Sequence, residues 1–159
     1  MNTTAQTRRK FLVVVDDTPE CRVALRFASA RARNTGGGVM MLRVIEPAEF
    51  EHWAAVRNLM REEAREEAEA LLQGLATEVN GWAGVLPEIA TREGRARDEI
   101  LKLLEEDPGI RILVLGASPE GDNPGPLVTD LAGRLAGSMR VPVTVVPGNM
   151  TSQQIDEVT

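Results

Sequence analysis

The chain alternates short strand-like segments with longer segments of helical periodicity, and this alternation constrains its fold more than any other feature. Parallel strands joined by helical crossovers form such a pattern, and each crossover is expected to be right-handed. The sequence therefore predicts an α/β fold with a five-stranded parallel sheet and four helices. The predicted strands are Phe11 to Val15, Val39 to Ile45, Leu86 to Arg92, Arg111 to Leu115 and Val141 to Val146.

Helix signals separate these strands. Thr18 and Pro19 open the first helix as cap and first-turn residue, and Gly36 follows its end. The other predicted helices run from Glu49 to Val79, from Arg97 to Glu106 and from Pro126 to Ser138. The apolar face of the second is expected to contain residues spaced by three and four, namely Trp53, Val56, Met60, Ala64, Ala68, Leu71, Leu75 and Val79.

Length and composition exclude several classes of protein. The 159 residues suit one domain, and the sequence predicts a flexible lead over 1–9, a domain over 10–147 and a polar tail over 148–159. A net charge of -6 and few aromatic residues argue against nucleic-acid binding. No segment approaches the about 18 apolar residues of a membrane span. The lone Cys21 is expected to be a buried free thiol, which fits a cytoplasmic location.

Two strand-to-helix loops carry the candidate site. Asp16, Asp17 and Thr18 follow the first strand, and Gly116 begins the loop after the fourth. If these two strands are neighbours, the chain reverses its winding between them, and ligands bind at such switch points in open α/β sheets. We therefore expect Asp16 and Gly116 to lie at the mouth of one crevice.

The order and spacing of several motifs resemble the universal stress protein family. These are the valine-rich strand ending in Asp16, the segment Leu42 to Pro47, Gly94 followed by Glu99 to Leu101, the segment Leu113 to Gly116, and the closing Val141 to Val146. The resemblance extends from about Lys10 to Pro147. It implies an open, doubly wound, Rossmann-like fold of the adenine nucleotide alpha hydrolase type with the strand order 3-2-1-4-5, and a role in the stress response.

ATP-binding members of that family share a motif of Gly, two residues, Gly, nine residues, and Gly followed by Ser or Thr. Gly116 matches the first position, but Pro119, Thr129 and Asp130 occupy the other three. Proline has no amide hydrogen to donate to a phosphate oxygen. The Asp130 carboxylate would repel a phosphate charge about 4 Å away by roughly 4 kcal/mol. Gly121 offers a different loop geometry, which we interpret as a stiff turn.

The nucleoside half of the site is better preserved. The resemblance implies that Asp16 and Val44 hold the nucleoside, although Asp16 has the alternative role of accepting amide hydrogen bonds within its own turn. If a nucleotide binds, the expected contacts are Asp16, Thr18, Val44, Gly116, Gly121, Thr129 and Asp130. No cofactor is expected; ATP with Mg²⁺ bridged to Asp130 is the alternative.

No catalytic or metal site is expected. Ser118 has no base near it in sequence, and His52 has no Cys or His at ligand spacing. Asp16, Asp17 and Asp130 supply oxygen ligands from different loops, which makes a metal-dependent hydrolase the least favoured hypothesis. The preferred hypothesis is a stress-response regulator that does not bind ATP in the usual manner of the family, and the alternative is a nucleotide-binding switch with weak or no hydrolysis.

The last strand predicts the partner. An apolar edge strand invites pairing, and in universal stress proteins this strand typically pairs with its own copy across a two-fold axis. We therefore expect a homodimer, with no nucleic acid or membrane as partner. The expected interface residues are Val141, Val143, Thr144, Val145 and Val146.

Overall fold

The computed structural model describes residues 8–47 and 53–159 of the chain. Five strands and five α-helices follow one another along these residues. In chain order they are β1 Lys10–Val14, α1 Pro19–Thr35, β2 Gly38–Ile45, α2 Ala54–Ala83, β3 Glu88–Glu93, α3 Ala96–Glu106, β4 Ile110–Ala117, α4 Pro126–Thr129, β5 Val143–Pro147 and α5 Ser152–Val158.

All five strands are parallel and lie in the order β3-β2-β1-β4-β5. This confirms the predicted sheet and its strand order. Val13 lies beside Met41 on β2 and beside Val114 on β4, so β1 is the central strand. The winding reverses between β1 and β4, which places the ends of these two strands at the switch point.

The strand β1 is buried on both faces, and its side chains divide the core into two layers. Phe11 and Val13 belong to a cluster that α1, α2 and α5 cover, whereas Leu12 and Val14 belong to a cluster on the side of α3 and α4. Successive strand residues point to opposite faces, so a continuous apolar run requires helices on both sides. The doubly wound arrangement follows from this pattern.

The described residues, 8–47 and 53–159, form five α-helices rather than the four that the sequence predicts. Residues 148–159, expected to be a polar tail, contain α5. A capping box joins Thr151 and Gln154, and the apolar side chain of Ile155 is fully buried. A seven-residue helix with one buried position shows too little periodicity for recognition from sequence.

The segment predicted as one helix from Pro126 to Ser138 is irregular. The short α4 ends at Thr129 and is followed by a π-helical turn over Asp130–Arg134 and a 3₁₀ turn over Ala136–Ser138. The segment includes Gly133 and Gly137, and glycine weakens regular helix. The observed β3 and β5 also begin two residues later than predicted, at Glu88 and Val143.

The helix α2 is longer than the sheet on which it packs. Its 30 residues correspond to about 45 Å at the rise of an α-helix, whereas a strand of six to eight residues spans about 20 to 27 Å. Arg61 and Arg65 both pair with Glu93, the last residue of β3, so the helix before Arg61 extends beyond the sheet. Trp53, Val56 and Met60, predicted to face the core, are therefore exposed.

Two residues of the sequence analysis fall within 48–52. The predicted start of the second helix at Glu49 and the lone histidine His52 both lie outside the described residues. Among the helices of residues 8–47 and 53–159, none is sufficiently long and apolar to span a bilayer.

Candidate functional site

The turn after β1 is organised by Asp16. Its Oδ1 accepts hydrogen bonds from the Thr18 backbone amide at 2.8 Å and from the Thr18 hydroxyl. Thr18 precedes the first residue of α1, but its side chain caps no amide of the helix because its hydroxyl is donated to Asp16. Asp16 therefore performs the turn role that the sequence offered as an alternative to nucleoside binding.

Cys21 lies in the first turn of α1, directly behind this turn. Its thiol is buried and donates to the main-chain oxygen of Asp16 at 3.4 Å. Burial raises the pKa of the Cys21 thiol above its ordinary value. A thiol that ionises less readily is a poor nucleophile. The expectation of a buried, free cysteine is confirmed by its position in the structure.

Arg43 brings a positive charge to the turn after β1. The sequence did not identify this residue as part of the site. Its guanidinium donates to the Asp17 carboxylate at 3.0 Å and to the main-chain oxygen of Val15 at 3.4 Å. The only signal in sequence was the position of Arg43 beside Val44, on a strand predicted to pair with β1. Val44 itself is half-buried and packs against the core layer on the side of α3.

Gly116 lies near the end of β4, beside the first turn of α1. A Cβ atom at this position would stand 2.3 Å from the main-chain oxygen of Glu20. Gly148, just after β5, also approaches Glu20, since a Cβ there would stand 2.6 Å from the Glu20 Cβ. Both glycines allow three chain segments to meet closely, so packing alone requires Gly116 to be a glycine.

The loop from Ser118 to Gly125 bonds to itself. The Ser118 amide donates to the main-chain oxygen of Pro124 at 3.1 Å, and the Gly125 amide donates to the Asn123 side chain at 3.0 Å. The Glu120 amide donates a hydrogen bond to the Ser118 hydroxyl oxygen at 3.4 Å. Gly121 and Gly125 adopt positive φ angles of 66° and 112°, which the turns of this loop require. Three backbone amides of this loop are thus already engaged within the loop itself.

Thr129 and Asp130 follow this loop at the end of α4. The Thr129 amide and hydroxyl both donate to the main-chain oxygen of Gly125, each at 3.1 Å. The Asp130 carboxylate is a quarter exposed and lies 3.9 Å from the Arg134 guanidinium. Thr129 therefore serves a backbone contact at the start of α4, and Asp130 places a carboxylate at the last motif position.

The remaining candidate chemistry is limited. No cluster of three or more Asp, Glu, His or Cys side chains suited to a metal ion occurs within the described parts of the chain. A further contact missed from sequence is the Glu46 carboxylate, which accepts from the Ala96 amide at 3.2 Å and so occupies the start of α3. The structure brings Asp16, Val44 and Gly116 to one edge of the sheet, at the ends of neighbouring strands.

The predicted interface residues lie on and beside the edge strand β5. Val141 and Val146 are buried within the chain, Val143 and Thr144 are half-buried, and Val145 is 37% exposed. The Leu113 amide donates to the Pro142 main-chain oxygen, so the even-numbered residues of β5 bond to β4. The backbone amides of Val143 and Val145 consequently point away from β4.

Solved structures of similar fold include several universal stress proteins. UspA from Lactobacillus plantarum has a TM-score of 0.72 and 18% identity, over 87% of this chain and 97% of that protein. A universal stress protein in complex with cAMP has a TM-score of 0.61 and 18% identity, over 89% and 98%. A family protein from Arabidopsis thaliana with AMP bound has a TM-score of 0.58 and 18% identity, over 87% and 90%.

At these identities the structural likeness establishes the fold alone. No curated protein matches the chain significantly. The sequence profile described as the universal stress protein family matches residues 7–147, which is most of the chain. The chain therefore belongs to the universal stress protein family.

Proposed function

We propose that this stress protein is a homodimeric regulator, not an enzyme, and that it does not bind ATP in the usual manner of its family. The observation that carries the proposal is the self-bonded loop after β4. The amides of Ser118 and Gly125 donate within that loop, so a triphosphate would have to break these contacts before it could bind.

The charge of the site supports the same proposal. Asp130 stands where the family motif has a hydroxyl, and Glu120 and Asp122 are further carboxylates on the exposed loop. The guanidinium of Arg134 lies 3.9 Å from the Asp130 carboxylate, but the Arg134 side chain is 77% exposed, so solvent and salt screen its charge. On the opposite side of the crevice Arg43 is already paired with Asp17. A triphosphate would therefore meet more negative than free positive charge.

Calorimetry with ATP and Mg²⁺ tests the proposal. Titration of the full chain is expected to give no saturable heat at micromolar ligand, whereas saturable binding would contradict the proposal. Before the titration, a separate sample of the purified protein should be denatured, and any small molecule that it releases should be identified by mass spectrometry. A stoichiometric nucleotide in that sample would also contradict the proposal.

A nucleotide-binding switch is the second candidate, and a specific observation favours it. Only one oxygen of the Asp16 carboxylate is engaged by Thr18, and the half-buried Val44 lies on the neighbouring strand. Two relatives of this fold hold AMP or cAMP in their solved structures. The same titration with AMP and with cAMP separates the candidates, because binding of a monophosphate without binding of ATP would assign the crevice to the smaller ligand.

The homodimer is proposed to form through β5, whose outward amides at Val143 and Val145 leave an edge open for pairing. A cytoplasmic location is part of the proposal, since the one cysteine is a buried free thiol. Sedimentation equilibrium at micromolar concentrations should give twice the 17.3 kDa mass of the chain. A monomer at these concentrations would contradict the dimer without affecting the conclusion on ATP.

A further inference from the structure

Arg26 joins three helices on the face of the molecule opposite α3. Its guanidinium stacks over the Trp82 ring of α2, 4.6 Å from the ring centroid. The same group forms a two-pronged pair with Asp156 of α5, with Nη2 at 2.9 Å from Oδ2 and Nε at 3.2 Å from Oδ1. Bidentate pairs of this kind fix orientation as well as charge. Arg26 thus sets the position in which α5 sits on α1.

The α1 helix has an excess of positive charge, although the chain as a whole is acidic. It carries four arginines, Arg22, Arg26, Arg31 and Arg33, in a protein of net charge -6. Arg31 and Asn34 donate to the main-chain oxygen of Thr159 at 3.2 and 3.0 Å, and Asp156 neutralises Arg26. The α5 helix, which lies on this face of α1, is therefore complementary to α1 in charge.

The attachment of α5 is small in extent. Ile155 is its one buried residue, and it enters the cluster formed by Leu25, Leu75 and Val79. A seven-residue helix does not persist in water without tertiary contacts. The α5 helix therefore exists only while Ile155 and Asp156 are docked, and it lies outside the 7–147 segment that the family profile matches.

The docked helix leaves space beside it. A groove of about 220 Å³ remains between α1, α2 and α5, and its apolar lining includes Leu75, Val79, Trp82 and Ile155. The groove is open to solvent beside Ile155, so part of this apolar surface stays uncovered when α5 is docked.

We propose that this face, defined by Arg26, Arg31, Leu75, Val79 and Trp82, is a docking surface for a short acidic helix of a partner protein, and that α5 occupies it in competition. The expected partner segment carries a large apolar residue followed directly by a carboxylate, as Ile155 and Asp156 do in α5. The proposal shares with the proposed function only the need for a protein partner, so calorimetry with ATP and the peptide experiment below fail independently.

The test uses the 159-residue chain and a defined probe. The probe is a fluorescent peptide with the sequence of residues 148–159 and the substitution Ile155→Phe, titrated by fluorescence anisotropy. The release variant carries Ile155→Ser with Asp156→Lys, and the matched control carries Val158→Ser with Glu157→Lys on the exposed side of α5. Because an attached competitor has a high effective concentration, the release variant is expected to bind the probe at least about tenfold more tightly than the control.

Charge reversal identifies the contact. Adding Arg26→Glu to the release variant should weaken binding of the probe about tenfold, and a probe with Asp156→Lys should recover part of that loss. Equal binding by the release variant and the control would overturn the proposal, as would binding that is insensitive to Arg26. If the release variant instead draws the unaltered chain into a dimer through its α5, the occupant is a second copy and the proposed partner is wrong.

Hydrogen exchange on the unaltered chain keeps the test valid should the release variant fail to fold. The α5 amides of Ile155 to Val158 are expected to exchange orders of magnitude faster than those of β1 and β4, because α5 opens without global unfolding. Exchange of α5 only at the slow rate of the central strands would show that α5 never leaves its site, and the docking proposal would then be wrong.

Discussion

The Cα atom of Gly116 lies against the main-chain oxygen of Glu20, so closely that an added Cβ would stand only 2.3 Å from that oxygen. The glycine that looks like the start of a phosphate loop therefore has a packing role, holding the end of β4 against the first turn of α1. A motif residue can thus persist for structural reasons while the remaining motif positions change.

This contact predicts a large effect of Gly116→Ala. The methyl group cannot be accommodated without moving α1, so the substitution should lower the free energy of unfolding by about 1 to 3 kcal/mol or more. Gly137→Ala is the matched control, because nothing lies within 4 Å of a Cβ there. Urea unfolding followed by circular dichroism measures both, and an equal effect of the two substitutions would contradict the packing role.

The phosphate half of the site predicts a gain of function. Replacing Pro119→Gly, Thr129→Gly and Asp130→Ser together recreates the family motif, restores an amide donor and removes a carboxylate. The triple variant should bind ATP with Mg²⁺ in calorimetry, and removal of the Asp130 carboxylate should contribute about a few kcal/mol. Asp122→Ser serves as the control, because it removes a charge from the same loop without restoring the motif. A triple variant that folds but shows no heat would count against the proposed cause.

The edge of β5 predicts a dimer that one charge disrupts. Val145→Lys places an ammonium group on the exposed edge, where lysine discourages strand pairing. Its side chain is 37% exposed, similar to the 43% of Val56 on α2, so Val56→Lys is a matched control. Sedimentation equilibrium should show dissociation of the first variant only. Dissociation of both, or of neither, would place the interface elsewhere.

The sheet also predicts a response to acid, through the carboxylate that pairs with Lys10 at the start of β1. The Lys10 ammonium pairs with Asp107 and lies 2.9 Å from Glu88, and the Lys10 and Asp107 side chains are 15% and 25% exposed. Burial alone would raise the pKa of Asp107, but hydrogen bonds from Lys10 and the Gly109 amide lower it below the usual 3.8. Burial alone would lower the pKa of Lys10, but its two carboxylate partners raise it above the usual 10.5.

The sign of the acid effect follows from linkage. The lowered pKa of Asp107 stabilises the fold above its unfolded value near 3.8, and this stabilisation is lost as the pH falls through the folded value. Asp107→Asn should therefore cost about 1 to 2 kcal/mol at neutral pH and little at about pH 2. Urea midpoints between these limits, with Asp122→Asn as control, measure the difference. The raised pKa of Lys10 predicts a second loss of stability as the pH rises above about 10.5.

The docked α5 predicts an asymmetry between two of its side chains. Ile155 is fully buried and Val158 is 57% exposed. Ile155→Ala should lower the free energy of unfolding by about 2 to 4 kcal/mol, or detach α5 alone, whereas Val158→Ala should change it by less than about 0.5 kcal/mol. Thermal unfolding combined with hydrogen exchange of α5 distinguishes local from global loss. Similar values for both variants would show that α5 contributes little to the fold.

The sequence by itself determined the alternation of strands and helices, the burial of Cys21 and the motif positions that differ from the family. These depend on residue types in one segment, such as an apolar run that must be covered on both faces, or a proline that lacks an amide hydrogen. The exposed start of α2 was predicted wrongly from the same kind of evidence, because periodicity reveals which side of a helix is apolar but not where the sheet beneath it ends.

Only the tertiary structure decided the remaining features. The pairing of Arg43 with Asp17, the approach of Gly116 to Glu20 and the docking of Ile155 each join residues that are distant in sequence. Their energies depend on distances and burial that arise after the layers pack, so no local pattern encodes them. The self-bonded loop after β4 depends likewise on a backbone geometry that residue types permit but do not impose.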